Sequence, residues 1–371
     1  MTGAGAAAVA ASQPANGVNV GDCVVLAGSS SWADQSLVRE GSFYPSRSLS
    51  AAQRLAYYAS RLPLAEVATT YRFPPTPDVA KRWVALTPPG FTLDIRAWSL
   101  LSGAPTWPES LWPDLQGYIK PPRRESAKLY RQRLPADVVD ECWERFRHAL
   151  RPLAQAGRLG AVVVRFPSWF SPRPAAWEEL AALPGRLPGF RVAVELSNDR
   201  WFAGDTCELT LAVLEELGLC FVCQDRPGPA RPVVAATADV AFVRFPGRSP
   251  YVWATPRAAA VAGAASAAGT AHHEHGCDDG GPEEPDEAET AEMVEGGAGE
   301  ATAVEAEAEV VEAGPMAWWS YRYTEAELAA WVPVVRELAA GTSQVHLIMD
   351  NCWRSDAVDN AASLLDLLAR G

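Results

Sequence analysis

The sequence predicts a single (β/α)8 barrel of the TIM type, carrying a long disordered acidic insertion after the seventh strand. Three observations carry this reading. Eight short β-branched runs alternate with amphipathic segments of helical period, which is the pattern of a parallel sheet covered by helices. Several runs are apolar throughout, as in Ala161-Val-Val-Val164 and Leu347-Ile-Met349, so both faces of the sheet are buried. Eight units favour closure of that sheet into a cylinder.

The strands are expected over 24–28, 65–70, 91–96, 160–166, 191–196, 219–225, 240–245 and 345–350. Helices are expected over 49–61, 77–86, 136–156, 175–183, 206–217, 324–339 and 355–369, where apolar residues recur every three or four positions. The link between the sixth and seventh strands has no helical pattern. An open doubly wound sheet is the alternative, but no G-x-G-x-x-G or G-x-x-x-x-G-K-[ST] follows a strand, so its usual phosphate-cradling turn is missing.

Along the chain this gives a disordered tail over 1–22, the first part of the barrel over 23–253, the insertion over 254–315, and the last helix-strand-helix of the same barrel over 316–371. The insertion has 15 Asp and Glu against one Arg and no aromatic residue, too little apolar surface to offset the entropy of ordering it. Its His272-His-Glu-His-Gly-Cys277 has a spacing that suits a transition metal, yet no fold holds those ligands, and it reads as a polar linker. The formal charge of −13 belongs to this segment, because the remainder is nearly neutral at 31 Lys and Arg against 30 Asp and Glu. Overall charge therefore points to no polyanionic partner.

No apolar run of about 18 residues is present, and the N-terminus lacks the basic and Leu-rich regions of a signal peptide. Seven scattered cysteines, an odd number, fit reduced buried thiols. A cytoplasmic protein without membrane contact is expected. Cys220 and Cys223 form a C-x-x-C, but inside a strand rather than at a redox turn.

In such a barrel the ligand site lies at the C-terminal ends of the strands. Charges collect there: Asp94 and Arg96, Arg165, Glu195, Asp225, Arg244, and Asp350 followed by Asn351. Burying these unpaired would be costly, so they are expected to converge on the mouth and pair there or meet a ligand. A ring of salt bridges plugging the barrel would satisfy the same residues. Trp32, Tyr71, Trp98, Trp169, Trp201 and Trp353 follow strand ends, and rings beside arginines suit a sugar, a nucleobase or another polar ring.

A series of segments begins with Gly28-Ser-Ser-Ser-Trp32, Phe43-Tyr-Pro45, Leu55-Ala-Tyr-Tyr-Ala-Ser60, Glu66-Val-Ala-Thr-Thr-Tyr71, Trp83 with Thr87-Pro88, and Gly157-Arg-Leu-Gly160. It continues through Phe166-Pro-Ser-Trp-Phe170, Val194-Glu195, Asp225, Arg244, Gly247-Arg248 and Asn351-Cys352. In the order and spacing of these segments the chain resembles the YecE-like family, domain of unknown function 72. The resemblance implies an α/β barrel and favoured polar positions but no reaction. The chain departs from the family at four strand ends: Arg96 replaces Lys, Glu195-Leu-Ser-Asn198 replaces Glu-Phe-Arg-His, Arg244-Phe-Pro-Gly247 replaces Arg-x-His-Gly, and Asp350-Asn351 replaces an Asn pair. Lys and His are the groups that titrate near neutral pH, and outside the insertion only His148 and His346 remain. A histidine triad or a zinc site at the mouth is not expected. The available oxygen ligands would favour Mg2+ or Mn2+ over zinc, but no metal ligand is assigned and no cofactor is indicated.

Two functional readings follow. In the first, an enzyme acts on a phosphorylated, carboxylated or sugar- or nucleotide-like metabolite. Arg96, Arg165 and Arg244 clamp the anion, with Asn351, Trp32, Tyr71 and Trp98 completing the ligand site. Glu195 is general acid or base, with Asp225 or Asp350 as its partner. In the second, the mouth binds a ligand without transforming it, and the acidic insertion contacts a protein partner. A nucleic-acid role for the basic residues over 120–133 is the least favoured, since the acidic insertion would repel a polyanion.

Overall fold

The computed structural model of the chain describes residues 17–119, 128–226, 232–249 and 320–370. Its strands are β1 Val18–Val20, β2 Cys23–Ser29, β3 Leu64–Val67, β4 Thr92–Arg96, β5 Leu159–Arg165, β6 Val192–Glu195, β7 Cys220–Gln224, β8 Val240–Phe245 and β9 Gln344–Met349. Strands β2 to β9 pair in sequence order, all parallel, and β9 pairs back onto β2 in unbroken register from Val24↔Gln344 to Ser29↔Met349. The cylinder is closed, a TIM-type barrel. Strand β1, inside the stretch expected to be a tail, forms an antiparallel hairpin with the start of β2, where Val18 and Val20 pack against the core.

The helices are α1 Gln35–Glu40, α2 Ala51–Ala59, α3 Pro77–Leu86, α4 Ala136–Gln155, α5 Pro174–Arg186, α6 Asp205–Glu216, α7 Glu325–Ala329, α8 Val332–Ala339 and α9 Asp356–Arg370. Local chemistry sets their ends. Ser50 and Gln53 form a capping box at α2, and Thr76 caps α3 ahead of Pro77. Helix α4 buries Val138, Val139, Cys142, Trp143, Phe146 and Leu150 on one stripe. The single helix expected over 324–339 is two helices, because Pro333 has no N–H to bond back one turn and its ring crowds the preceding turn. In the link between β7 and β8, the described residues contain no helix. The insertion expected over 254–315, with its His and Cys motif, lies outside the described residues.

Strand alternation sorts side chains into two layers. Val25, Ala65, Leu93, Val162, Val194, Cys223, Val243 and Leu347 face the helices in the main core. Ala161, Val163, Ala193, Cys220, Val222, Val240 and Phe242 fill the barrel interior. Below the mouth, His346 Nδ1 pairs with Asp94 at 2.8 Å across the interior, and both are fully buried. The pairing of β4 with β5 slips between Leu93 and Ile95, and Asp94 Oδ1 accepts the Ala161 N–H at this bulge. Gly160 is required there, since a Cβ would lie 2.3 Å from Asp94 Oδ1.

Candidate functional site

The interior parity continues to the strand ends, and that is what assembles the site. Arg165 shares the inward side of Ala161 and Val163, Glu195 that of Ala193, Arg244 that of Val240 and Phe242, and Glu66 that of Leu64. Arg244 is the hub. Its Nη2 and Nη1 donate to Glu66 Oε2 and Oε1 at 2.5 and 3.2 Å, and its Nε donates to Glu195 Oε2 at 2.7 Å. Arg96 Nε donates to Glu66 Oε1 at 3.0 Å, and Arg165 Nε lies 3.2 Å from Glu195 Oε1. Asp350 closes the ring at 3.5 Å from Arg244, 3.6 Å from Arg96 and 4.0 Å from Arg165, and it accepts from the Ser30 hydroxyl.

Three guanidiniums face three carboxylates, so the cluster is neutral as a whole. Burial pushes Glu66 upward, but the adjoining Arg244 and Arg96 outweigh it and hold the carboxyl below the usual range. Asp350 is likewise raised by burial and lowered further by Arg96, Arg244, Arg165 and the Ser30 hydroxyl, which leaves it at about 2. Exposure divides the arginines. Arg244 and Arg96 side chains are 3% and 11% exposed, whereas Arg165 is 42% exposed.

Of the residues expected at the mouth, the structure brings together Arg96, Arg165, Glu195, Arg244 and Asp350. Tyr71 stands beside them: burial raises its phenol pKa, while Arg165 and Arg96 oppose the rise electrostatically. Asp94, also expected there, lies below the mouth against His346, and four more residues stand elsewhere. Asp225, expected to partner Glu195, lies on the outward parity of Phe221 and Cys223. There it accepts two bonds from Arg248 at 2.8 Å, one from Tyr323 Oη at 2.8 Å and one from Trp331 Nε1 at 3.2 Å. Asn351 is buried and donates to the Tyr321 carbonyl at 2.7 Å and to Asn360 Oδ1 at 3.0 Å, tying the chain before α7 to α9. Trp32 is fully buried edge-on to Trp83, and Trp98 is fully buried against Trp112 with its Nε1 on Ser110. Neither indole offers a face to a ligand.

Glu66 was not among the expected site residues, although it bridges two of the three arginines. Its signal is a lone acid inside the apolar run Leu64-Ala-Glu-Val67. Ser30, beyond β2, is the other addition. The cysteine expectation concerns inert thiols: burial pushes Cys220, Cys223 and Cys352 each up to about 12.

Chemically, this arrangement presents fixed positive charge with fixed counter-charge behind it. Glu66 and Asp350, held below the usual range by the guanidiniums, are poor proton donors and weak bases, while Arg165 keeps 42% of its side chain in solvent, where guanidinium donors suit a planar or tetrahedral anion. Among the described residues, no group of three His, Cys, Asp or Glu side chains is placed to hold a metal ion.

Comparison with known proteins agrees with the fold. The family model described as protein of unknown function DUF72 matches residues 26–277 and 288–371. The UPF0759 protein YunF of Bacillus subtilis is 22% identical over 355 residues, which cover 93% of this chain and 95% of YunF. The crystal structure of a DUF72 family protein from Enterococcus faecalis superposes with a TM-score of 0.60 at 20% identity, over 93% of this chain and 95% of that one. One from Thermotoga maritima gives 0.59 at 20% identity, over 93% and 98%. Across this distance the likeness is one of fold.

Proposed function

We propose that this chain, which belongs to the DUF72 family of proteins of unknown function, binds the anionic group of a small polar metabolite at the barrel mouth, on the open edge of Arg165. The observation that carries the reading is the unequal exposure of the three mouth arginines. Arg244 and Arg96 are consumed by buried carboxylates, while Arg165, whose Nε alone pairs closely, with Glu195 at 3.2 Å, keeps 42% of its side chain in solvent and has Asp350 at 4.0 Å. Tyr71 and Arg96 line the same side of the mouth. The role of Glu66, Glu195 and Asp350 in this reading is to fix the guanidiniums and set their directions, so that the donors are ordered before a ligand arrives.

Geometry favours binding over acid and base catalysis. The carboxylate pair Glu195 and Asp225 needed for divided proton-transfer roles is split between the interior and the helix layer. Asp350 at about 2 is also too weak a base for that work near neutral pH. A cytoplasmic site of action belongs to the same proposal, supported by six free cysteines among the described residues. Among those residues, no helix is long and apolar enough to cross a membrane.

A thermal-shift screen of phosphorylated sugars, nucleotides and carboxylates against their uncharged analogues tests the proposal. Anionic members should raise the melting temperature of the full chain and lose that effect in Arg165→Ala. Equal shifts from charged and uncharged compounds would overturn it.

A further inference from the structure

Four large apolar side chains stand well exposed among the described residues: Phe73, Tyr118, Trp169 and Leu209. Leu209 lies on α6, whereas the three rings lie in the loops that follow β3, β4 and β5. These strands are neighbours, so the loops that carry the rings leave the barrel along one arc of the mouth face, the arc where β3, β4 and β5 deliver Tyr71, Arg96 and Arg165.

Trp169 is the most telling of the three. It comes four residues after Arg165 and is 52% exposed, yet the turn that carries it is fastened on every side. Phe170 stacks on Phe166 with ring centroids 3.9 Å apart and planes 11° apart, and its N–H bonds the Pro167 carbonyl at 2.9 Å. Trp201 Nε1 donates to the Phe170 carbonyl at 2.7 Å, and Asn198 Nδ2 donates to the Ser168 carbonyl at 2.6 Å. The rings on the same turn that pack are buried or half-buried, and the indole between them is left in water. An aromatic held out by an ordered loop is a surface prepared for contact, because little entropy remains to be lost when something covers it.

Tyr71, in the loop after β3, is half-buried and close enough to Arg165 and Arg96 to feel their charge, its carbonyl fixed by the Ser99 N–H at 2.9 Å. In strand order, the ends of β4 and β5 that carry Arg96 and Arg165 thus lie between the β3 loop with Tyr71 and the β5 loop with Trp169. Guanidinium and indole both stack on the π face of an aromatic ring, whereas a saturated ring offers them only C–H contacts.

We infer that the anion held at Arg165 is carried on a flat ring, and that Trp169, with Tyr71, supplies the surface against which that ring lies. The ligand class is then an aryl or heteroaryl phosphate or carboxylate. This rests on the anion-binding reading above and adds to it a residue that decides specificity.

Isothermal titration of the full chain with inorganic phosphate, phenyl phosphate and cyclohexyl phosphate tests it. Phenyl phosphate should bind about tenfold tighter than inorganic phosphate, the scale of one stacked ring, and tighter than cyclohexyl phosphate. Trp169→Ala should erase most of that advantage and leave inorganic phosphate unchanged, while Trp169→Phe keeps part of it. The position is exposed, so the fold should survive each change, which circular dichroism verifies. If inorganic phosphate binds but phenyl phosphate gains nothing, or gains as much in Trp169→Ala, the ring inference falls and the anion reading stands. If none of the three binds, both fall. Equal gains from the phenyl and cyclohexyl esters would overturn the flat-ring requirement.

Discussion

Arg244 on β8 and Glu66 on β3 meet in a two-pronged ion pair at 2.5 and 3.2 Å, although 178 residues separate them and both are withdrawn from water. The pair spans the barrel interior and ties the seventh barrel strand to the second. Its charges are compensated only because Glu195 and Arg96 extend it in both directions.

Removing the hub should therefore cost far more than an exposed ion pair is worth. Arg244→Met leaves Glu66 and Glu195 buried and facing each other without a shared cation, and we expect a loss of about 3–5 kcal/mol in urea unfolding. Adding Glu66→Gln and Glu195→Gln to the same chain should recover much of it, since the penalty lies in the uncompensated charge rather than in the lost attraction.

The acid limb of stability should carry the mark of Asp350. Its folded pKa, about 2, lies below the ordinary 3.8. Its contribution, of order 2 kcal/mol, is complete above about pH 4 and is lost as pH falls through about 2. Glu66 is shifted in the same direction and adds to the effect. Urea midpoints measured from pH 5 to pH 2 should fall less steeply for Asp350→Asn than for the parent chain.

Asp225 should behave as a structural acceptor. It takes bonds from Arg248, Tyr323 and Trp331, joining the residues just after β8 to those that lead into α7 and α8. Asp225→Ala should destabilise the chain by about 2–4 kcal/mol, because buried donors lose their partner, and leave phosphate affinity at the mouth unchanged. A large drop in affinity without loss of stability would contradict this placement.

Much of the fold is legible in the sequence. The strand expected over 240–245 is Val240–Phe245, and the other seven lie within one or two residues at each end apart from the late end of β3, where Thr69 and Thr70 turn into a short 3-10 helix. The site is legible only where parity is respected. From Val222 in the interior, Gln224 points inward and Asp225 must point toward the helices; from Ile348, Asp350 points inward and Asn351 outward. Proximity to a strand end is not enough without that count. Glu66 escapes notice for the opposite reason: it sits within its strand rather than at the end, and only the closure of the cylinder brings Arg244 to it. Trp32 and Trp98 look like rim rings in sequence, yet their loops fold back and bury both.

The most direct measurement is the affinity of inorganic phosphate for the parent chain and for Arg165→Ala, by calorimetric titration at low ionic strength. Arg165 is half in solvent and Glu195 keeps Arg244, so its removal should cost less stability than Arg244→Met while weakening phosphate by at least about tenfold, the scale of one charge-assisted contact. Phosphate bound equally well without the Arg165 guanidinium would contradict an anion site at the barrel mouth.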